Sequence, residues 1–404
     1  MLRNALICLA ALLALPAAAQ EVGTRIHVRV RDLPAPGDLP VAANRASGAE
    51  RPQRDALRVP SGFTATLFAE GVESARNLLV LPNGDVIVAQ QKANRLGLLR
   101  DADGDGRAER METYAEGFDQ PFGLAFHDGA IYVADRDAVW RLPWRDGATR
   151  APGGKQRVTA EGALGSKPGH STRSLAFAPD GGRFYVGIGS RGNIGEEEEP
   201  RATVQEFSAD GKRLRTFAAG LRNPIGIGFR PGTNDLYAVV NERDGLGDQL
   251  VPDYFTHLEP GGFYGWPYSY LGANPQPMLA DKRPDRVKAA IVPNMLLQAH
   301  SAPITFTFAD KTNFPDRWRS GAFVALHGSW NSSRPIGYSV VFVPFAGNRP
   351  EGGYEVFATG FRVTGDDEPI QAWGRPSGVA VAKDGSLLIA DDWGTVWRVA
   401  HTGE

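Results

Sequence analysis

Five stretches of this chain repeat one pattern: a polar or proline-containing lead, an alternating apolar strand, a tight turn and a second apolar strand. They are residues 77–89, 120–134, 173–187, 223–238 and 375–390. Asn-Gly and Asp-Gly between such runs signal a hairpin, because glycine takes the positive φ the turn needs. The turn glycines are Gly84, Gly129, Gly181, Gly232 and Gly385, so the successive gaps are 45, 52, 51 and 153 residues. The first three gaps fit one four-stranded propeller blade each. The long gap holds a weaker copy, Arg319 to Trp330, and an inserted loop around residues 271–298. Six blades are therefore expected, in an all-β, six-bladed β-propeller. A β-sandwich would not repeat at this period, and long helical periodicity is absent.

Composition agrees with many turns. Gly 48 and Pro 29 make up about 19% of 404 residues, against roughly 12% in an average protein. A formal charge of −2 argues against nucleic acid as the main partner, since phosphate binding needs a basic excess. The N-terminus reads as a secretory signal peptide over residues 1–19. Arg3 supplies positive charge, Ala5 to Pro16 is apolar, and Ala17-Ala18-Ala19 precedes the expected cut. That apolar run is too short to span a bilayer. The single cysteine, Cys8, lies inside it. The mature chain would carry no disulfide, thiolate metal site, Cys nucleophile or covalent c-type haem. An exported protein, periplasmic or secreted, is expected, with an extended arm over 20–58 and the catalytic propeller over 59–404.

Propellers bind ligands at the mouth of the central channel, through loops at equivalent positions of each blade. Read in phase, the leads offer Gln120, His170, Arg222-Asn223, His300 and Arg375. The exits of the second strands offer Glu242-Arg243-Asp244 and His327-Gly328-Ser329-Trp330. Imidazoles, guanidinium groups, an amide and a carboxylate loop at one mouth suit a polar, anionic, planar ligand. Each taken alone is weak, because a lone histidine is more often a structural hydrogen-bonder.

Several stretches resemble the soluble pyrroloquinoline quinone (PQQ)-dependent glucose/sorbosone dehydrogenase family, especially its sorbosone dehydrogenase-like branch. They are residues 119–126, 169–175, 220–226, 241–248, 262–267, 327–331 and 374–378, and with the weaker repeats the resemblance covers 59–400. It implies a six-bladed propeller with PQQ and Ca²⁺ at the mouth. It also implies that His170 is the general base for the substrate hydroxyl, with Gln120 a polar neighbour of base or substrate. Arg222 and Asn223 would hold the quinone oxygens, and Arg375 a PQQ carboxylate. The Asp244-Gly245 carbonyls, with Asp248 nearby, would face the Ca²⁺. Two departures from the glucose-oxidising relatives stand out. Gly169 replaces an acidic residue before the histidine, and the cofactor-contacting lysine has no match. His327, Trp330 and Arg334 fill that blade instead, Trp330 either stacking on the cofactor or sitting in the propeller core.

A separate stretch, Asp101-Ala102-Asp103-Gly104-Asp105-Gly106 to Glu112, fits a twelve-residue Ca²⁺ loop. Asp101, Asp103, Asp105 and Glu112 would supply side-chain oxygens and Arg107 its carbonyl; an ion-free acidic hairpin is the alternative. The run Glu196 to Glu199 reads as a solvated loop, and Gly226-Ile227-Gly228 lies in a strand, which rejects a nucleotide loop. Three functions follow. The first is an exported PQQ- and Ca²⁺-dependent dehydrogenase of an aldose, aldehyde or related sugar, passing electrons to an external cytochrome or quinone. The others are a Ca²⁺-dependent, lactonase-like hydrolase and a non-catalytic binding propeller.

Overall fold

The computed structural model describes residues 21–37, 43–53, 56–366 and 368–403; the signal-peptide reading and Cys8 lie outside them. The expected six-bladed β-propeller is what forms. Blade 1 comprises strands 75–80, 86–90, 95–100 and 110–116, and blade 2 strands 123–127, 130–134, 139–143 and 156–157. Blade 3 runs through 173–177, 183–188, 203–208 and 213–219, with residues 262–263 added in parallel at its outer edge. Blade 4 is 224–229, 236–240, 252–257 and 295–299; blade 5 is 303–308, 321–326, 339–346 and 354–358. Blade 6 joins the two ends of the domain: strands 376–381, 387–391 and 395–401 take their fourth partner from residues 63–70. The first strands of the six blades adjoin one another in a closed ring.

Each second strand lies between two neighbouring blades. Residues 86–90, 130–134, 236–240, 321–326 and 387–391 are buried at every position, which explains their near-continuous apolar sequence. The core divides accordingly into six clusters, one at each blade interface. All five turn glycines have positive φ, between 64° and 102°. The copy in blade 5 is weak because residues 309–320, with a 3₁₀ turn at Asp316–Trp318, replace the tight turn there. The insertion also differs from expectation. It occupies 258–294, between the third and fourth strands of blade 4, and Met295–Ala299 is that blade's outer strand.

Ahead of the propeller, the described residues include a 3₁₀ turn at Val30–Asp32 and two short strands. Arg25–Ile26 pairs with Tyr354–Ala358 as a fifth strand on blade 5, and Ser47–Gly48 pairs with Gln371–Ala372. Between these the Asn44 N–H reaches the Trp330 carbonyl at 2.7 Å.

Candidate active site at the channel mouth

Antiparallel pairing puts the start of every first strand beside the end of its second strand: Arg173 opposite Ile188, Pro224 opposite Val240, Pro303 opposite Leu326, Pro376 opposite Asp391. The in-phase leads and exits therefore share one end of the ring. On the blade 3–4 side, the His170 Nδ1–H donates to the Ser190 carbonyl at 2.7 Å, and its backbone N–H reaches the same oxygen at 3.0 Å. Nδ1 thus carries the proton, leaving Nε2 as the basic nitrogen. Burial, with Arg222 and Arg201 adding positive charge, lowers its pKa to about 4 against the pull of the Ser190 carbonyl and Asp244.

Two glycines let this loop close up. A Cβ on Gly189 would lie 2.3 Å from Asn223 Oδ1 and 2.8 Å from His170 Cβ. Gly169 has φ +91°, and a Cβ there would meet the Arg191 Cα at 2.3 Å, so an acidic side chain has no room on this backbone. Asn223 is buried, yet its Oδ1 has no hydrogen-bond partner among the described residues. Arg222 is held by carbonyls. Its Nη1 donates to Glu242 at 2.9 Å, its Nε to Asn193 at 3.2 Å, and its Nη2 to Asn193 Oδ1 at 3.2 Å. Beneath it Glu242 is fully buried with Oε1 unpartnered, and burial raises its carboxyl to about 7 although Arg222 and Arg243 oppose that.

Across the mouth, the Arg375 Nε donates to the His327 carbonyl at 3.1 Å and its Nη2 to that of Gly328, with the guanidinium over Tyr338. His327 donates from Nδ1 to the Pro376 carbonyl at 2.9 Å and meets Arg76 at 3.5 Å through Nε2. Burial takes its pKa down to about 3, with Arg375 and Arg76 pulling the same way and Asp392 opposing them. Arg76 Nη1 pairs with Asp392 Oδ2 at 3.3 Å; Arg76 Nε and Asp392 Oδ1 have no partner among the described residues. Arg76 and Asp392 escaped the sequence reading, but a signal existed. Arg76-Asn77 stands at the same repeat phase as Arg222-Asn223, and Asp392 follows a second strand as Glu242 does. Ser190 and Asn193, equally unforeseen, come from irregular loop with no pattern to betray them.

The other expected residues fall less centrally. Gln120 is half-buried, with φ 56° and its N–H bonded to Asn94 Oδ1 at 2.9 Å. Its neighbour Asp119 ties this loop to the His170 loop through Lys167 at 2.8 Å. Trp330 is 39% exposed with Arg45 over its ring, which overturns a place in the propeller core; Arg334 is exposed too. For the Ca²⁺ loop at the mouth, the Asp244 carbonyl already accepts from Asn193 Nδ2 at 3.0 Å and Arg243 Nε at 2.8 Å. The Asp244 carboxylate faces His300 Nδ1 at 3.4 Å and Asn331 Nδ2. Asp248 is exposed, and its carboxylate accepts from the Ser333 N–H and hydroxyl. Gly245 remains the carbonyl in that loop for a hard cation.

In the surface loop, Asp101, Asp103 and Asp105 gather with Glu109, not Glu112. Glu112 sits in the strand opposite Leu98, and Glu109 instead caps the Ala102 N–H at 2.7 Å. The three aspartates accept backbone N–H groups of Gly104, Gly106, Asp105 and Arg107, and with Glu109 they offer oxygens within 4.8 Å of one another that could hold a metal ion. The acidic run diverges: Glu196 bonds Tyr268 and Lys282, Glu197 two backbone N–H groups, Glu199 Arg213.

Comparison with known proteins gives four findings. The family described as TrAA12-like matches residues 57–261 and 273–402. An uncharacterized protein of Borreliella burgdorferi is 25% identical over 357 residues, covering 85% of this chain and 91% of the relative. A pyrroloquinoline quinone-dependent pyranose dehydrogenase of Coprinopsis cinerea is 24% identical over 347 residues, 74% of this chain; the match spans 46% of that enzyme, about half its length. The solved holo form of the Coprinopsis cinerea pyranose dehydrogenase PQQ domain superposes with a TM-score of 0.71 at 19% identity, covering 89% of this chain and all of that one.

Proposed function

The chain belongs to the TrAA12-like family, and from that membership and the chemistry of its mouth we propose that it is a PQQ-dependent sugar dehydrogenase. Its substrate would be an aldose, aldehyde hydrate or related polyol, with the sorbosone-like branch our finer choice. The curated pyranose dehydrogenase relative supports the reading. The observation that carries it is a neutral, half-buried imidazole with an open Nε2, across Gly189 from the unpartnered Asn223 Oδ1.

The residues present suit a planar polyanion. Arg222, Arg375 and Arg76 converge on the mouth, and unpartnered buried polar atoms wait there on Asn223, Arg76 and Asp392. Arg222 and Asn223 would hold the quinone edge, Arg375 and Arg76 a carboxylate edge, and Gly245 would offer a carbonyl to Ca²⁺. PQQ, when bound, supplies the two-electron acceptor for the hydride leaving the substrate carbon. His170 Nε2 takes the hydroxyl proton of that substrate, while the Ser190 carbonyl keeps the ring turned so that Nε2 faces the reaction. An anion bound beside His170 opposes the charge of Arg222 and raises the imidazole pKa from about 4 toward the range where a base works at neutral pH. Arg222 would set its positive charge against the quinone edge, where negative charge is favoured.

With its single cysteine at position 8, the chain can ligate no thiolate cluster of its own, so the electrons pass to an external acceptor. We propose export through residues 1–19; among the described residues no helix is long and apolar enough to cross a membrane. The hydrolase reading has less use for several guanidinium groups, those of Arg76, Arg222 and Arg375, around one planar anion. Mature protein with and without PQQ and Ca²⁺, assayed for dye reduction across aldoses, aldehydes and polyols, tests the proposal. PQQ-dependent reduction is expected; no PQQ binding and no reduction would overturn it.

A further inference from the structure

His170 sits on a loop, residues 164–172, that has little regular structure of its own, yet its ring is turned by a carbonyl from a different loop, at Ser190. Something must hold the two loops at a fixed separation. Arg201, in the turn just before the third strand of blade 3, is buried and bonds carbonyls on both. Its Nη1 donates to Gly189 at 2.9 Å and to His170 itself at 3.2 Å, and its Nη2 to Ser166 and Pro168. Arg173, fully buried, helps only within the first loop, reaching the carbonyls of His170 (2.9 Å), Thr172, Leu164 and Ser166. A planar fork with several fixed donors can span four carbonyls at once, which a lysine cannot.

We propose that Arg201 is a positioning residue for the His170 base, stapling the His170 loop to the 189–190 loop so that Nδ1 stays on the Ser190 carbonyl and Nε2 stays open. The inference rests on the assignment of His170 as the base. Its geometry follows from the bonds: beside the His170 N–H bond to the Ser190 carbonyl, Arg201 adds ties to Gly189 on one loop and to Ser166, Pro168 and His170 on the other, and losing them loosens the ring's seat. The cost of a displaced base is large, since an error near 1 Å at the reacting atoms lowers rates about 10²-fold. The groups facing the imidazole are Arg222 from blade 4, Arg201 from beneath, Asp244 from the blade 4 exit loop and the Ser190 carbonyl and hydroxyl. Removing Arg201 takes away one of two cations and opens the loop to water, and both changes ease protonation.

The test compares wild type, Arg201→Gln and Arg201→Lys by ¹⁵N-histidine NMR on cofactor- and metal-free protein, with His170→Gln assigning the signal. Wild-type His170 is expected to keep its proton on Nδ1 and to titrate near 4. In Arg201→Gln the tautomer should become mixed and the titration move toward the unperturbed value of about 6.5. With PQQ loaded, Arg201→Gln should lose about 10²-fold in kcat while sugar KM and PQQ affinity stay within about threefold, and Arg201→Lys should recover part of the loss. A purely structural arginine would lower the melting temperature and leave tautomer, titration and kcat per loaded site unchanged. That result overturns the proposal. If Arg201→Gln does not fold, Arg201→Lys decides on the same NMR signal. If no sugar is oxidised, the dehydrogenase reading fails while the NMR arm still judges the staple.

Discussion

A half-buried histidine, a buried histidine and a buried glutamate set how this protein should answer to pH. His170 and His327 are neutral in the fold, titrating near 4 and 3, whereas an unfolded histidine titrates near 6.5. Between those values the unfolded chain binds more protons, so stability falls as pH drops below about 6.5. Glu242 runs the other way. Its folded value, about 7, lies above the unfolded one of about 4.3, so the folded state holds a proton the unfolded chain has lost, and stability falls as pH rises from about 4.5 through 7. In metal-free protein, Glu242→Gln should therefore gain stability over wild type at pH 8 and show little gain at pH 4.5, read from urea midpoints. An equal gain at both pH values would contradict the buried-acid account. For the chemistry, His170→Ala should abolish dye reduction while PQQ titration stays within about threefold of wild type, because the ring's assigned role is to take a proton and not to hold the cofactor. A parallel loss of PQQ binding would show that the role is misassigned.

The blade elements decide which of these side chains can meet. The leads and exits converge because antiparallel pairing forces them to one end, a consequence readable from the repeat phase; this is why His170, Arg222, Asn223, His327 and Arg375 could be named in advance. What the repeat could not reveal is how closely the loops approach. Gly189 is the clearest instance, since nothing in its neighbourhood of the sequence marks it, yet its missing Cβ is what lets Asn223 and His170 come together. Gly189→Ala should keep the β-rich circular dichroism spectrum but weaken PQQ binding and lower kcat, each by about 10- to 100-fold, as overpacking of a tight site does. Unchanged binding in a folded variant would mean the two loops do not need this contact. The calcium loop teaches the same lesson from the other side. The spacing from Asp101 fits twelve positions, but a strand with fixed pairing carries Glu112 away and brings Glu109 in.

At the scale of the molecule, the ring is closed by one strand from the N-terminal side, residues 63–70, laid against 395–401. Phe63 anchors that closure. It meets Phe314, Trp318 and Phe357 of blade 5 edge-on, with centroid distances of 4.8, 6.4 and 5.3 Å. Phe63→Ala should cost about 3–5 kcal/mol and lower the melting temperature of the whole domain cooperatively. A local loss, with the global transition unmoved, would show that the closure strand is an accessory. The architecture was legible in the chain because strand alternation and turn glycines are local properties, and repeating them at a blade's spacing leaves few ways to bury six apolar second strands. The residue types at the mouth were legible for the same reason. The tertiary structure alone decided which partners those residues have: the Ser190 carbonyl behind His170, the Arg201 staple, the Arg76–Asp392 pair, and the turning of Asp248 to Ser333. These contacts join loops from separate parts of the fold, and loop geometry follows from packing between blades, for which no periodicity in the sequence stands as a record.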